Sequence, residues 1–321
     1  MRAIQIVELS GPDTALALVD MPEPEASGVV VDVHAAGVSF PELLQTRGEY
    51  QIKPPLPFVP GSEVGGVVRS APDGAPVRAG DRVAAFCMLG AWAETAVSPE
   101  HLVFKLPDEL DFAQGAALVL NYHTAYFSLV TRGQLQEGES VLVHGAAGGV
   151  GTATLQVAKG LGARTIAVVS SDDKEDVARQ AGADEVVRSD GPWKDQAKEL
   201  SDGGVDMVVD PVGGDRFTDS LRVLRESGRL VVVGFTGGSI PEVKVNRLLL
   251  NNISVVGAGW GAFVMRKPDV IRAHGVEIDR LIEKGYVRPL VGQRFPLEQA
   301  ADALKLLDGR GALGKIVLDV R

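Results

Sequence analysis

The chain has 321 residues, and its 32 Lys and Arg against 42 Asp and Glu give a formal net charge of −10, which disfavours nonspecific attraction to nucleic acid or anionic lipid. A hydrophobic content of 45% with 38 Gly and 18 Pro excludes a disordered chain and fits a turn-rich globular protein of two domains. One cysteine, Cys87, excludes an internal disulfide framework and fits a reducing compartment.

From the N-terminus, residues 1–8 turn polar before a signal-peptide core accumulates, and no apolar run approaches the roughly 20 residues of a spanning helix. A soluble, cytoplasmic protein is expected. Residues 1 to about 110 are β-rich, with short alternating runs at 29–33 and 63–68 divided by Pro and Gly turns. Residues 53–61 carry four prolines and predict a rigid loop or wall, because each Pro lacks an N–H and restrains the residue before it.

At 140–144 an apolar run stops at His144, and Gly145-Ala146-Ala147-Gly148-Gly149-Val150-Gly151 follow before a helical pattern. Strand, glycine-rich turn and helix in this order make a pyrophosphate cradle, since missing side chains let the anion reach free N–H groups at the positive helix end. Further strands are predicted at 164–169, 185–187, 205–209, 229–233 and 253–256, with helical patterns such as 173–181 between them. Six parallel strands with crossover helices predict a doubly wound, dinucleotide-binding Rossmann domain. Two helical patterns, near 268–285 and 297–308, and a strand at 315–320 that returns to the first domain complete the chain. The expected division is 1–120, 121–260 and 261–321, with the last segment completing the first domain and ligands in the cleft between domains.

Where an NAD-selective site carries an acid, about 20 residues past the turn, Val169 and Ser170 stand instead. Ser170, Ser171 and Lys174, closed by Arg188 or Ser189, suit a 2′-phosphate, so NADPH is expected over NADH. Asp172 and Asp173 oppose this only if they face the phosphate; as first-turn residues of the next helix they serve its dipole.

Several motifs, in order along nearly the whole chain, resemble one family: residues 36–44 (Ala36 to Leu44), 58–66, 80–83, 124–126, 144–151 and 252–257. The chain is similar to the zinc-free quinone oxidoreductase (zeta-crystallin-like) branch of the medium-chain dehydrogenase/reductase superfamily. The resemblance implies an α/β protein in which a Rossmann domain is inserted in a GroES-like, β-rich catalytic domain, with NADPH as cofactor and a homodimer or tetramer as assembly. The zinc enzymes of the superfamily place Cys, His and Cys where Ser39, Ser62 and Leu120 stand here, and residues 84–95, where a structural zinc would sit, hold only Cys87. No metal is expected. His34, His101, His123 and His274 show no ligand spacing.

By the same resemblance, Thr124 contacts the nicotinamide carboxamide and Gly234-Phe235 flank its ring, while Gly259, Trp260 and Lys315 are further cofactor candidates. Ser39 and Tyr50 are the donors placed nearest the acceptor. Many relatives carry Asn at the place of Ser39 and some a Tyr at that of Leu44, and His144 is read as a packing residue, as are Phe86 and Trp92. Without zinc or a His/Asp relay, the chemistry expected is hydride delivery to a quinone or conjugated enone, whose developing charge is spread widely. The alternatives are an NADPH-dependent enoyl or alkenal reductase, and an NADPH-binding protein without turnover in a structural or RNA-binding role. Net acidity and the lack of an Arg-rich segment disfavour RNA.

Overall fold

The β-branched runs pair into three sheets in the computed structural model, which describes residues 1–264 and 266–321. Strands β1 (Arg2–Ile6) and β2 (Leu16–Asp20) form an antiparallel pair. Strands β3 (Val29–Val38), β4 (Glu63–Ser70), β5 (Arg82–Phe86), β6 (Thr95–Ser98) and β7 (Val103–Lys105) belong to a larger antiparallel ladder. Helix α1 (Phe40–Thr46) starts directly after β3, with Ser39 as an extended N-cap, Pro41 in the first turn and Glu42 folding back on the cap. Helix α2 (Phe112–Gly115) is started by Asp111, whose carboxylate accepts from Gln114 N at 2.7 Å. The expected wall at 53–61 is neither helix nor regular strand; its one sheet-like feature is the bridge between Phe58 and Ile6.

Helix α3 (Val119–Tyr126) leads into β8 (Ser140–His144), α4 (Gly149–Gly160), β9 (Arg164–Val169), α5 (Asp172–Gln180), β10 (Glu185–Arg188), α6 (Trp193–Leu200) and β11 (Val205–Asp210). Then come α7 (Phe217–Val223), β12 (Leu224–Val232), α8 (Asn246–Asn251), β13 (Ser254–Gly257), α9 (Trp260–Val264) and α10 (Pro268–Glu283). Among the described residues, these strands form one parallel sheet in the order β10-β9-β8-β11-β12-β13. The order reverses at β8, so the loops after β8 and β11 open at the switch point where such sheets take their ligands. Apolar side chains cover the sheet because its strands are buried on both faces: Leu142, Ile166, Val168, Val208 and Leu230 pack with Trp193 and Phe217. Each such burial contributes about 1.5–3 kcal/mol. Strand β12 begins at Leu224, earlier than the pattern at 229–233 predicts, because Leu224 pairs with Val205 before a register shift.

The final strands, β14 (Val291–Pro296) and β15 (Lys315–Asp319), with α11 (Ala300–Asp308) between them, return to the first ladder, where β15 pairs antiparallel with β3. The chain divides into Met1–Leu120 with Pro289–Arg321 as one unit and Asn121–Arg288 as the other. The boundary expected at 260 therefore falls at 288. Gln156 of α4 explains the difference: its amide donates to Arg288 O at 2.9 Å and accepts from Arg288 N at 2.9 Å, tying that stretch to the second unit. Gly160 helps, because a Cβ there would lie 2.7 Å from Leu281 and 3.1 Å from Tyr286.

Candidate active site

In the first unit, the end of β3 turns into α1 at Ser39, and the side chain of Glu42 turns back one helical turn. One of its oxygens accepts from Ser39 N at 2.9 Å and the other from Ser62 Oγ at 2.7 Å. Burial pushes the Glu42 carboxyl up to about 6, against the hydrogen bond from Ser62 and the charge of Lys315, which lower it. Lys315, at the head of β15, donates through Nζ to Ser39 Oγ at 2.6 Å and to Glu63 Oε1. Glu63 Oε2 accepts from Leu120 N at 2.9 Å, one of the free N–H groups at the start of α3. Gly37 makes the room: a Cβ there would stand 2.6 Å from Ala116 O and 2.7 Å from Glu63 Cγ. Tyr50 is half-buried, and burial together with the nearby Glu42 charge raises its hydroxyl above the usual phenol range.

Phe86 and Trp92 are buried, Trp92 within the main cluster of this unit, where its indole N–H donates to Gly37 O at 2.9 Å. Cys87 is buried as well, and desolvation pushes its thiol up to about 12.

In the second unit the turn after β8 has Gly145 at φ +58° and Gly148 as the extended N-cap of α4. The glycines do different work. A Cβ at Gly151 would lie 2.2 Å from Gly145 O, and one at Gly149 would lie 2.6 Å from Asn121 Nδ2, so both are demanded by packing. At Gly148 the nearest atom would be Gly145 O at 3.5 Å, so there the missing side chain leaves open space over the first turn of the helix, where Val150 also lies. That is a cradle a Cβ would fill, and it fits a pyrophosphate. On the next turn, Asp210 Oδ1 accepts from Val212 N at 2.8 Å and Gly213 N at 2.9 Å.

At the end of β9, Ser170 gathers two cations. Lys174 Nζ donates to its hydroxyl at 3.1 Å and Arg188 Nη2 to its carbonyl at 3.1 Å, while the buried Nε of Arg188 has no hydrogen-bond partner among the described residues. Asp172 is drawn off to Arg188 and Asp173 lies in the first turn of α5 behind the N-cap Ser171, so the acids serve ion pairing and the helix start. Ser189 sits beside this group, its N–H donating to Val169 O at 2.7 Å. After β12, Gly234 N donates to Asp210 O at 3.4 Å and the Phe235 ring is exposed. Thr124 is buried in α3; Trp260 opens α9, also buried, with its ring 6.0 Å from that of His123, and Gly259 before it faces open space. His144 Nε2 meets Ser220 Oγ at 2.8 Å and its ring packs edge-on against Trp193, the arrangement of a packing residue.

The expected cofactor residues therefore lie in the second unit, except Lys315, which joins Ser39 and Tyr50 in the first. Glu42, Ser62 and Glu63 were not singled out as site residues from sequence. The cap pattern Ser39-Phe40-Pro41-Glu42 is the one signal that marks Glu42.

Family models match both parts of the chain: the alcohol dehydrogenase GroES-like domain over residues 25–108 and one described as zinc-binding dehydrogenase over 149–274. Quinone oxidoreductase-like protein 2 of Mus musculus is 38% identical over 100% of this chain and 92% of the relative. A probable oxidoreductase from Mycobacterium abscessus is 44% identical, with TM-score 0.90 over 100% of this chain and 99% of that one. The quinone oxidoreductase of Thermus thermophilus, solved alone and with NADPH, is 34% identical with TM-score 0.85 over 100% of both chains. The zinc in one family description does not fit these residues. Ser39 is bonded to an ammonium, Ser62 to a carboxylate, Leu120 has no donor side chain, and no three His, Cys, Asp or Glu side chains gather as a metal site among the described residues. The chain belongs to the quinone oxidoreductase-like family of the medium-chain dehydrogenase/reductase superfamily and is an oxidoreductase.

Proposed function

We propose that this chain reduces quinones with NADPH, without a metal. The observation that carries the cofactor choice is the pair of cations, Lys174 and Arg188, converging on Ser170 at the end of β9. NADPH, when bound, supplies a hydride. The turn from Gly145 takes its pyrophosphate over Gly148 and the first-turn N–H groups of Gly149, Val150 and Gly151, with Gly149 and Gly151 also keeping the turn packed; Ser170, Ser171, Lys174, Arg188 and Ser189 take the 2′-phosphate; Thr124, Gly234, Phe235, Gly259 and Trp260 orient the ring. Ser39 and Tyr50 donate to the acceptor oxygen as it gains charge. Those hydroxyls suit an acceptor that spreads its charge, such as a quinone or conjugated enone, and not a simple alcohol.

The test is oxidation of NADPH and NADH followed at 340 nm with 1,4-benzoquinone, 9,10-phenanthrenequinone and crotonyl-CoA in parallel. Quinone turnover with NADPH preferred is the expected result. Turnover confined to crotonyl-CoA assigns the chain to enoyl reduction instead, and tight NADPH binding with no turnover points to a binding role.

A cytoplasmic homodimer completes the reading. Two features support the dimer: β13 is an edge strand of the parallel sheet, and the segment before it exposes Val245, Leu249 and Leu250 by 71%, 76% and 75%. The lone cysteine supports a reducing compartment, and among the described residues no helix is long and apolar enough to cross a membrane.

A further inference from the structure

Three segments distant in sequence meet in the first unit at Ser39, Glu63 and Lys315, and what they enclose is an ammonium group. The Lys315 side chain is 3% exposed and that of Glu63 0%. Lysine is seldom buried to this degree, and here Glu63 balances its charge while Leu120 N–H occupies the second carboxylate oxygen. Of the three positions where zinc enzymes of the superfamily carry ligands, Ser39 meets this ammonium directly, Leu120 supports it through its N–H on Glu63, and Ser62 turns to Glu42.

We propose that Lys315 is a positioning residue for reduction: by donating to Ser39 Oγ it commits the serine hydroxyl to donate its own proton to the acceptor oxygen. An ammonium has donors only, so a hydroxyl 2.6 Å from it must accept. Ser39 is half-buried, so its O–H remains able to reach a bound molecule. A hydroxyl that accepts a charge-assisted bond is polarised and becomes a stronger donor, which strengthens its hold on an oxygen gaining negative charge. Lys315 thereby acts on the acceptor through Ser39 and Glu63 holds Lys315 in place. This inference rests on the proposed reading of the chain as a quinone or enone reductase.

The test compares the unaltered protein with Ser39→Ala, with the pair Lys315→Met/Glu63→Gln, and with all three substitutions together. The pair removes both charges of the ion pair, so Glu63 is not left as a buried carboxylate facing a missing ammonium. Near-ultraviolet circular dichroism checks the fold, and NADPH Kd, expected within twofold throughout, reports on the second unit. With 9,10-phenanthrenequinone as acceptor, Ser39→Ala and the paired variant are each expected to lose about 10- to 100-fold in kcat, and the triple variant no more than Ser39→Ala alone. A second readout needs no turnover: the carbonyl stretch of the same quinone bound beside NADP⁺ should shift to lower frequency in the unaltered protein and revert in the paired variant. Losses that multiply in the triple variant, a paired variant within twofold of the unaltered protein, or an unshifted carbonyl band overturn the role of Lys315. Absence of turnover in the unaltered protein with both 9,10-phenanthrenequinone and crotonyl-CoA overturns the reductase reading instead, and the carbonyl band still decides on Lys315.

Discussion

Ser62 Oγ donates to Glu42 Oε1 at 2.7 Å, and both side chains are buried in the first unit. A carboxyl so placed is more easily protonated than in water, and burial holds Glu42 near about 6 against an ordinary 4.5. The folded chain therefore keeps a proton that the unfolded chain has released. Stability from this group is full below 4.5 and is lost as pH rises to about 6, by about 2 kcal/mol. Calorimetric midpoints taken from pH 4.5 to 7 should show Glu42→Gln losing less stability across this window than the unaltered protein. Parallel curves for the two would refute the assignment.

His144 has the opposite sign. The Ser220 hydroxyl donates to Arg216 O at 2.9 Å, so it accepts from His144 Nε2–H, and the ring is held neutral by burial, its pKa lowered to about 4. The folded chain binds fewer protons than the unfolded one between about 4 and 6.5, and stability is lost as pH falls through that range, by about 3 kcal/mol. His144→Gln should flatten this acid limb in urea unfolding at pH 4.5 against pH 7.

Gly148 and Gly151 should fail differently. Gly151→Ala drives a Cβ to 2.2 Å from Gly145 O, and a drop in unfolding free energy of about 1–3 kcal/mol is expected. Gly148→Ala meets nothing closer than 3.5 Å and has φ −85°, so it should fold normally yet bind NADPH at least tenfold more weakly, because its methyl stands in the cradle. Fluorescence titration beside thermal melts separates the two; equal NADPH affinity in Gly148→Ala would remove that glycine from the site.

Lys174→Glu should raise the Kd for NADPH about 10- to 100-fold, as loss of a charge-assisted contact does, and leave that for NADH within threefold. Titration calorimetry with both cofactors reads the difference. An equal effect on both would place Lys174 away from the 2′-phosphate.

Leu249→Glu/Leu250→Glu should convert a dimer to monomer in light scattering at micromolar concentration with the circular dichroism unchanged, since both side chains are already exposed in the single chain. Persistence of the dimer would move the interface elsewhere.

Much of this was legible beforehand. The parallel strands appear where β-branched runs predict them, and the glycine turn sits between β8 and α4, because a strand, a tight turn and a helix start are specified by residues adjacent in the chain. Ser170 at the end of β9 was equally readable. The domain boundary was not, since it follows from long-range contacts such as that of Gln156 with Arg288, 132 positions apart. Nor did any local pattern reveal that Gly148 stands open while Gly151 is packed, because both are the same residue type in the same turn.

Sequence alone determined the strand order class, the glycine-rich turn between β8 and α4 and the mismatch of Ser39, Ser62 and Leu120 with a zinc site, since each follows from residue chemistry and short-range spacing. Tertiary structure alone decided what Ser39 meets. Lys315 reaches Ser39 across 276 positions and Glu63 across 252, through the pairing of β15 with β3 and of β3 with β4. Those contacts arise from burying strand faces together, and the partners of a buried charge are chosen by which side chains that burial brings within reach.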